Sequence, residues 1–153
     1  ISKTTISNGM AWSREKDRFY FIDTPTMTVT AYDYNNSNGD ISNPKIVISV
    51  PKEDGSPDGM TIDNEGMLWI AHWDGWQVTR WNPFTGEKLH QIPMPVARPT
   101  CCTFGGDDLT DLYISSSKEG LSDDELKQQP DAGKLFVVRN CGYMGMPTVE
   151  FVQ

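Results

Sequence analysis

One four-part pattern is written three times along this chain, and it constrains the fold more than any other feature. Each copy opens on a short run behind a small polar residue, passes through an aromatic-rich run and a run of alternating polarity, and closes on another short strand-like run. The first copy is Asn8-Gly9-Met10-Ala11-Trp12, Arg18-Phe19-Tyr20-Phe21-Ile22-Asp23, Val29-Thr30-Ala31-Tyr32-Asp33-Tyr34 and Lys45-Ile46-Val47-Ile48-Ser49-Val50. The second is Asp58-Gly59-Met60-Thr61-Ile62, Met67-Leu68-Trp69-Ile70-Ala71-His72-Trp73, Gln77-Val78-Thr79-Arg80-Trp81 and Lys88-Leu89-His90-Gln91-Ile92. The third, more degraded, is Thr100-Cys101-Cys102-Thr103-Phe104, Asp111-Leu112-Tyr113-Ile114-Ser115, Lys134-Leu135-Phe136-Val137-Val138 and Thr148-Val149-Glu150-Phe151-Val152. A four-strand unit recurring about every 40 to 50 residues is the signature of propeller blades, whose small sheets carry two apolar faces that neighbouring blades cover. The expected fold is all-β, with three four-stranded blades over residues 1–51, 52–95 and 96–153 in one partial domain. Three blades cannot close a ring, so the chain reads as part of a larger propeller.

Hydrophobic residues make up 37% of the 153, enough for a packed core, and no apolar run approaches the ~18 residues of a membrane span. The start at Ile1 has neither a basic nor an apolar leader region, and a first residue other than Met leads us to expect further sequence upstream. A net charge of −8 disfavours nucleic acid and anionic membranes as partners. It suits either cation binding or ordinary solubility. The three cysteines, two of them adjacent at Cys101 and Cys102, form neither an even disulfide framework nor a zinc spacing. They are expected to be reduced, buried small hydrophobes, which favours a cytoplasmic location.

Gly- and Pro-containing turns punctuate the runs, among them Asn38-Gly39-Asp40, Asp74-Gly75 and Pro83-Phe84-Thr85-Gly86. In the third run of the first copy, Val29, Ala31, Tyr32 and Tyr34 are expected on one face and Thr28, Thr30 and Asp33 on the other. Ser122 followed three residues later by Glu125 is a capping box, predicting a short surface helix inserted between the second and third strands of the last blade.

Superimposing the copies puts Asn8, Asp58 and Thr100 at one position, immediately before the innermost strand of each blade. Such positions converge on the central channel of a propeller, where Asn8 and Asp58 could offer an amide oxygen and a carboxylate to a hard cation. Asn-Gly and Asp-Gly also commonly form turns, and spacing alone leaves both readings open. Three other patterns are weaker. Asp54 to Glu65 spaces its oxygen residues like an EF-hand loop, but its flanks read as strands and Pro57 interrupts it. His72 and His90, the only histidines, lie in strand runs without a nucleophile motif and are expected to be structural. Trp69, Trp73, Trp76 and Trp81 are expected to pack between blades rather than to form a stacking platform.

The runs Ser7-Asn8-Gly9-Met10-Ala11-Trp12-Ser13, Tyr20-Phe21-Ile22-Asp23, Tyr32-Asp33-Tyr34, Ile41-Ser42-Asn43, Pro57-Asp58-Gly59-Met60-Thr61-Ile62-Asp63, Glu65-Gly66-Met67-Leu68-Trp69-Ile70-Ala71 and Phe104-Gly105-Gly106 occur in an order that resembles the C-terminal half of the regucalcin/gluconolactonase family. The resemblance covers essentially the whole chain. It implies three blades of a six-bladed β-propeller with a divalent cation in the central channel, calcium foremost, with zinc, manganese and magnesium as alternatives. By motif it assigns Asn8 and Asp58 as metal ligands beside a Glu from a first blade. It further implies a metal-dependent lactonase acting on a small-molecule lactone or ester, with Asp58 as the candidate general base and the N-terminal half of the propeller as partner. The alternatives are a non-catalytic calcium-binding regulatory propeller and an interaction propeller; no unambiguous exposed apolar patch for the latter is legible. The Trp73-Asp74-Gly75-Trp76 stretch departs from the family's more usual Gly pair.

Overall fold

Turn residues set the strand boundaries. The computed structural model, which describes residues 1–148, folds these as three antiparallel sheets. The first is β1 (Ser7–Trp12), β2 (Arg18–Asp23), β3 (Thr28–Tyr34) and β4 (Ile41–Ser49), joined in that order. The second repeats the order with β5 (Ser56–Ile62), β6 (Leu68–Trp73), β7 (Gln77–Trp81) and β8 (Lys88–Pro93). The third pairs β9 (Pro99–Gly105), β10 (Asp111–Ser116) and β11 (Leu135–Val138). The fourth strand expected in that sheet, at 148–152, lies outside the described residues apart from Thr148. The capping box forms as read: Ser122 accepts from the Glu125 backbone, and α1 (Asp123–Gln128) follows between β10 and β11.

Two core layers separate the three sheets. Ala11, Tyr20, Ile22, Val29 and Ile48 of the first sheet pack on Met60, Ile62, Leu68, Ile70 and Trp81 of the second. Trp69, Ala71 and Val78 on the other face of the second sheet pack on Cys102, Phe104, Leu112 and Ile114 of the third. Successive side chains of a strand point to opposite faces, so the apolar run Leu68-Trp69-Ile70-Ala71 of β6 feeds both layers alternately. Full burial of one such side chain stabilises the fold by about 1.5–3 kcal/mol. The segment after β11 crosses back to the second sheet, where Gly145 bridges Asp63 and the Asn64 N–H donates to the Met144 carbonyl at 2.9 Å.

The structure corrects several expectations. Strand β4 begins at Ile41, ahead of the expected Lys45, because a register irregularity opposite Ala31 and Asp33 and a φ of +49° at Asn43 accommodate Pro44 on the sheet edge. Tyr32 alternates away from Ala31, and Tyr32 and Tyr34 join an aromatic group with Trp12 and Phe19 on the face of the first sheet turned away from the second. Met10, 54% exposed, and Trp12, 42% exposed, line a groove of about 570 Å³ on that face, so an exposed apolar surface does exist. The thiols are free, but only Cys102 is buried; Cys101 is exposed and Cys141 intermediate.

Candidate metal and catalytic site

The three innermost strands carry the same irregularity at the same place. In β1 the pairing with β2 shifts between Ser7 and Met10, in β5 the pairing with β6 shifts between Pro57 and Met60, and in β9 the pairing with β10 skips Thr100. Asn8-Gly9 and Asp58-Gly59 are therefore bulges inside strands, not hairpin turns. A bulge re-aims its side chain relative to the pleat, which is how one strand can form a sheet and also present an oxygen at its end.

Glycine follows each of the first two oxygens for a steric reason. A Cβ on Gly9 would stand 2.6 Å from Met60 Cβ and 2.7 Å from the Asp58 carbonyl oxygen. One on Gly59 would stand 2.6 Å from the Cβ and Sγ of Cys101 and 2.7 Å from the Thr100 carbonyl oxygen. Only glycine permits so close an approach of neighbouring innermost strands. These approaches bring residues about 50 apart in sequence to one end of the sheets.

Thr24, which our sequence reading did not single out, couples the two motifs. The Asn8 Nδ2 donates to Thr24 Oγ1 at 3.1 Å, and Thr24 Oγ1 donates to the Pro57 carbonyl at 2.8 Å, one residue before Asp58. Its only sequence signal was a Thr-Pro pair directly after β2. Using Nδ2 for Thr24 orients the amide and keeps its oxygen for another partner. Burial pushes the Asp58 carboxyl above the usual carboxylate range, while hydrogen bonding by the Asn8 side chain and the Gly59 backbone pulls the other way. The amide oxygen of Asn8 and the carboxylate of Asp58 are hard donors, the type calcium and magnesium take. The residues thus fit the implied cation, although among the described residues no three His, Cys, Asp or Glu side chains cluster as a metal centre. Thr100 instead shares a 2.8 Å hydrogen bond with Ser115.

The other acidic residues near this motif serve the scaffold. Asp63 is fully buried and accepts from the Glu65 and Met67 N–H groups, from Trp69 Nε1 and from Arg80 Nε. Arg80 also donates to Glu65 and lies 4.2 Å from the Tyr143 ring centroid. Asp54 pairs with Lys88 at 2.8 Å, so the EF-hand-like spacing has its first and last carboxylates engaged elsewhere, with β5 running between them.

His72 is structural but only half satisfied. Its Nε2 lies 2.5 Å from Thr79 Oγ1, while its Nδ1 is buried with no partner, and desolvation drives its pKa down to about 4. His90 lies on exposed β8, 6.2 Å from the Trp69 ring. Trp69 and Trp81 fill the core as expected. Trp73 instead lies under Arg98, and Trp76 is 46% exposed in the β6–β7 turn, so these two do not pack between blades.

Comparison with known proteins gives a consistent result. The SMP-30/Gluconolactonase/LRE-like region matches residues 1–118. Regucalcin of Oryctolagus cuniculus is 40% identical over 151 residues, covering 99% of this chain and 50% of its own length. The crystal structure of the calcium-binding protein regucalcin from Agrobacterium tumefaciens superimposes with a TM-score of 0.86 at 26% identity, over 94% of this chain and 48% of the other. A gluconolactonase from Xanthomonas campestris superimposes with a TM-score of 0.63 at 28% identity, over 75% of this chain and 36% of the other. The chain spans about half the length of the curated relatives it matches.

Proposed function

Since the chain belongs to the SMP-30/Gluconolactonase/LRE-like family, we propose that it forms three blades of a six-bladed propeller which hydrolyses sugar lactones or related small esters with the help of a divalent cation. Asn8 and Asp58 hold the cation, calcium foremost, and a carboxylate from outside this chain completes the set. When bound, the cation supplies Lewis acidity, drawing electron density from the lactone carbonyl and making a water more acidic. Asp58 takes the proton of the attacking water, a role helped by the burial that raises its basicity. The Asn8 amide nitrogen donates to Thr24, which fixes the orientation of the amide and leaves its oxygen for the cation. Thr24 in turn holds the Pro57 carbonyl and with it the bulge that aims Asp58.

The observation that best supports this reading is the repeated bulge, which gives neighbouring innermost strands an oxygen at the same end without breaking either sheet. The calcium-binding protein among the structural relatives favours a second reading, a regulatory propeller that binds the ion without turnover. Hydrolysis of glucono-1,5-lactone by the complete protein, measured with and without chelator, separates the two. Turnover that vanishes with chelator and returns with calcium supports the lactonase. Tight calcium binding with no turnover supports the regulatory protein.

A further inference from the structure

The stretch leading into β9 carries an assignment that rests on the lactonase reading. Arg98 lies two residues before Thr100, whose carbonyl packs against Gly59, the neighbour of Asp58. Its side chain is only 14% exposed although its charge is permanent. The guanidinium stands 4.8 Å from the Trp73 ring centroid, Nε donates to Asp74 Oδ1 at 2.6 Å, and Nη1 donates to the Glu119 carbonyl. One side chain thereby ties the end of β6 and the β6–β7 turn to the segment that carries α1. Backbone contacts reinforce the tie. The Ser117 N–H donates to the Arg98 carbonyl at 2.9 Å, and the Ala97 N–H donates to Oε1 of buried Gln129 at 2.7 Å.

The turn itself is strained. Asp74 and Trp76 sit at φ of +58° and +56°, a region that costs an L-residue roughly 1–2 kcal/mol. The Trp76 N–H donates to the Ala97 carbonyl at 3.2 Å and its carbonyl accepts from the Met94 N–H at 2.7 Å, which holds it there. A large aromatic kept in that conformation and left half-exposed contributes little to the core, so its placement is what the strain maintains.

We propose that Arg98 is a positioning residue for substrate. It locks the Trp73–Trp76 turn and the 117–133 segment into one wall beside the Asn8–Asp58 end, and that wall receives the hydroxyl-bearing ring of a sugar lactone rather than its reacting carbonyl. The wall therefore governs binding of the hydroxylated substrate and leaves the chemical step to Asp58 and its cation.

Two lactones separate these effects in the complete protein: glucono-1,5-lactone and δ-valerolactone, which has the same ring without hydroxyls. Arg98→Met keeps the apolar contact with Trp73 but removes the forked donors. It should raise KM for glucono-1,5-lactone about tenfold with kcat within about threefold, and leave KM for δ-valerolactone within about twofold. Arg98→Lys should recover part of the loss. Asp74→Asn, which keeps an acceptor but loses the charge, should reproduce part of it, and the double variant should be no worse than Arg98→Met alone, because both weaken one interaction. An unchanged KM for glucono-1,5-lactone in folded Arg98→Met overturns the proposal, as does an equal fall with both lactones or a loss confined to kcat. Amide hydrogen exchange across 117–133 tests the lock without turnover: Arg98→Met should speed it about tenfold or more, and unchanged protection refutes the lock. Wild-type protein inert toward both lactones refutes the lactonase reading and the substrate role that rests on it, while exchange still decides the lock.

Discussion

Asp63→Ala removes a carboxylate that is fully buried but saturated with donors, and the consequence can be worked from its partners. Oδ1 accepts the Glu65 and Met67 N–H groups at 3.0 and 2.9 Å; Oδ2 accepts Trp69 Nε1 at 2.9 Å and Arg80 Nε at 2.7 Å. Truncation leaves the indole N–H without its acceptor in the core, a loss of about 1–3 kcal/mol. It also leaves Arg80, 6% exposed, with Glu65 as its remaining carboxylate, and breaking a buried pair costs about 3–5 kcal/mol. These costs overlap because the donors share one acceptor group, so the expected loss is about 3–5 kcal/mol, on the order of 10 °C in melting temperature. Asp63→Asn should not rescue it, since the amide would turn an NH2 toward groups that already donate. Urea and thermal unfolding of the complete protein at neutral pH measure the effect, with Asp58→Ala as comparison. Asp58 is only half-buried and bears no such set of donors, so its truncation should cost less than about 1 kcal/mol. A loss below about 1 kcal/mol at Asp63, or equal losses at the two positions, would refute the division into scaffold and site.

Three further outcomes follow from the same contacts. His72 is buried neutral with a pKa of about 4 against 6.5 when unfolded; its contribution is complete above about pH 6.5 and is lost as pH falls toward 4, about 3 kcal/mol in all. Unfolding measured against pH should show this slope in wild type and lose it in His72→Gln, which should still hydrolyse lactone within about tenfold of wild type; identical slopes would exclude His72 as the cause. Asp58, its carboxyl raised by burial, opposes folding increasingly as pH rises above its unfolded pKa and fully above its folded one, so metal-free Asp58→Asn should melt no lower than wild type at neutral pH yet gain nothing from calcium; a lower melting point in chelator would contradict this. Residues 1–153 alone should self-associate through the face bearing Met10 and Trp12, and a monomer in sedimentation at micromolar concentration would refute that.

Where local pattern dictates structure, the sequence is legible to the residue. Strands β2 and β7 fall where their apolar and alternating runs begin and end, and α1 follows its capping box. What escaped depends on contacts between blades. The bulges at Asn8 and Asp58 look like turns because Asn-Gly and Asp-Gly are turn dipeptides; only the approach of Met60 and Cys101 shows why glycine is needed inside a strand. Thr24 joins Asn8 to Pro57 across two sheets, a link no spacing rule reveals. Asp63 reads only as the end of the run that begins at Pro57, because its importance lies in partners up to 17 residues away. Tyr32 and Tyr34 lie on the open side and not with Ala31, because strict alternation along β3 carries them to the face of Trp12 and Phe19.

If Asp58 both holds the cation and takes the proton, the kinetics of Asp58→Ala must show the loss of both. In the complete protein with saturating calcium, hydrolysis of glucono-1,5-lactone should fall by about 10²-fold or more, with the melting temperature in chelator unchanged within a few degrees and calcium affinity weakened in parallel. Near-normal turnover by a folded Asp58→Ala protein, or a loss of activity that disappears once unfolded protein is accounted for, would rule out both roles for Asp58.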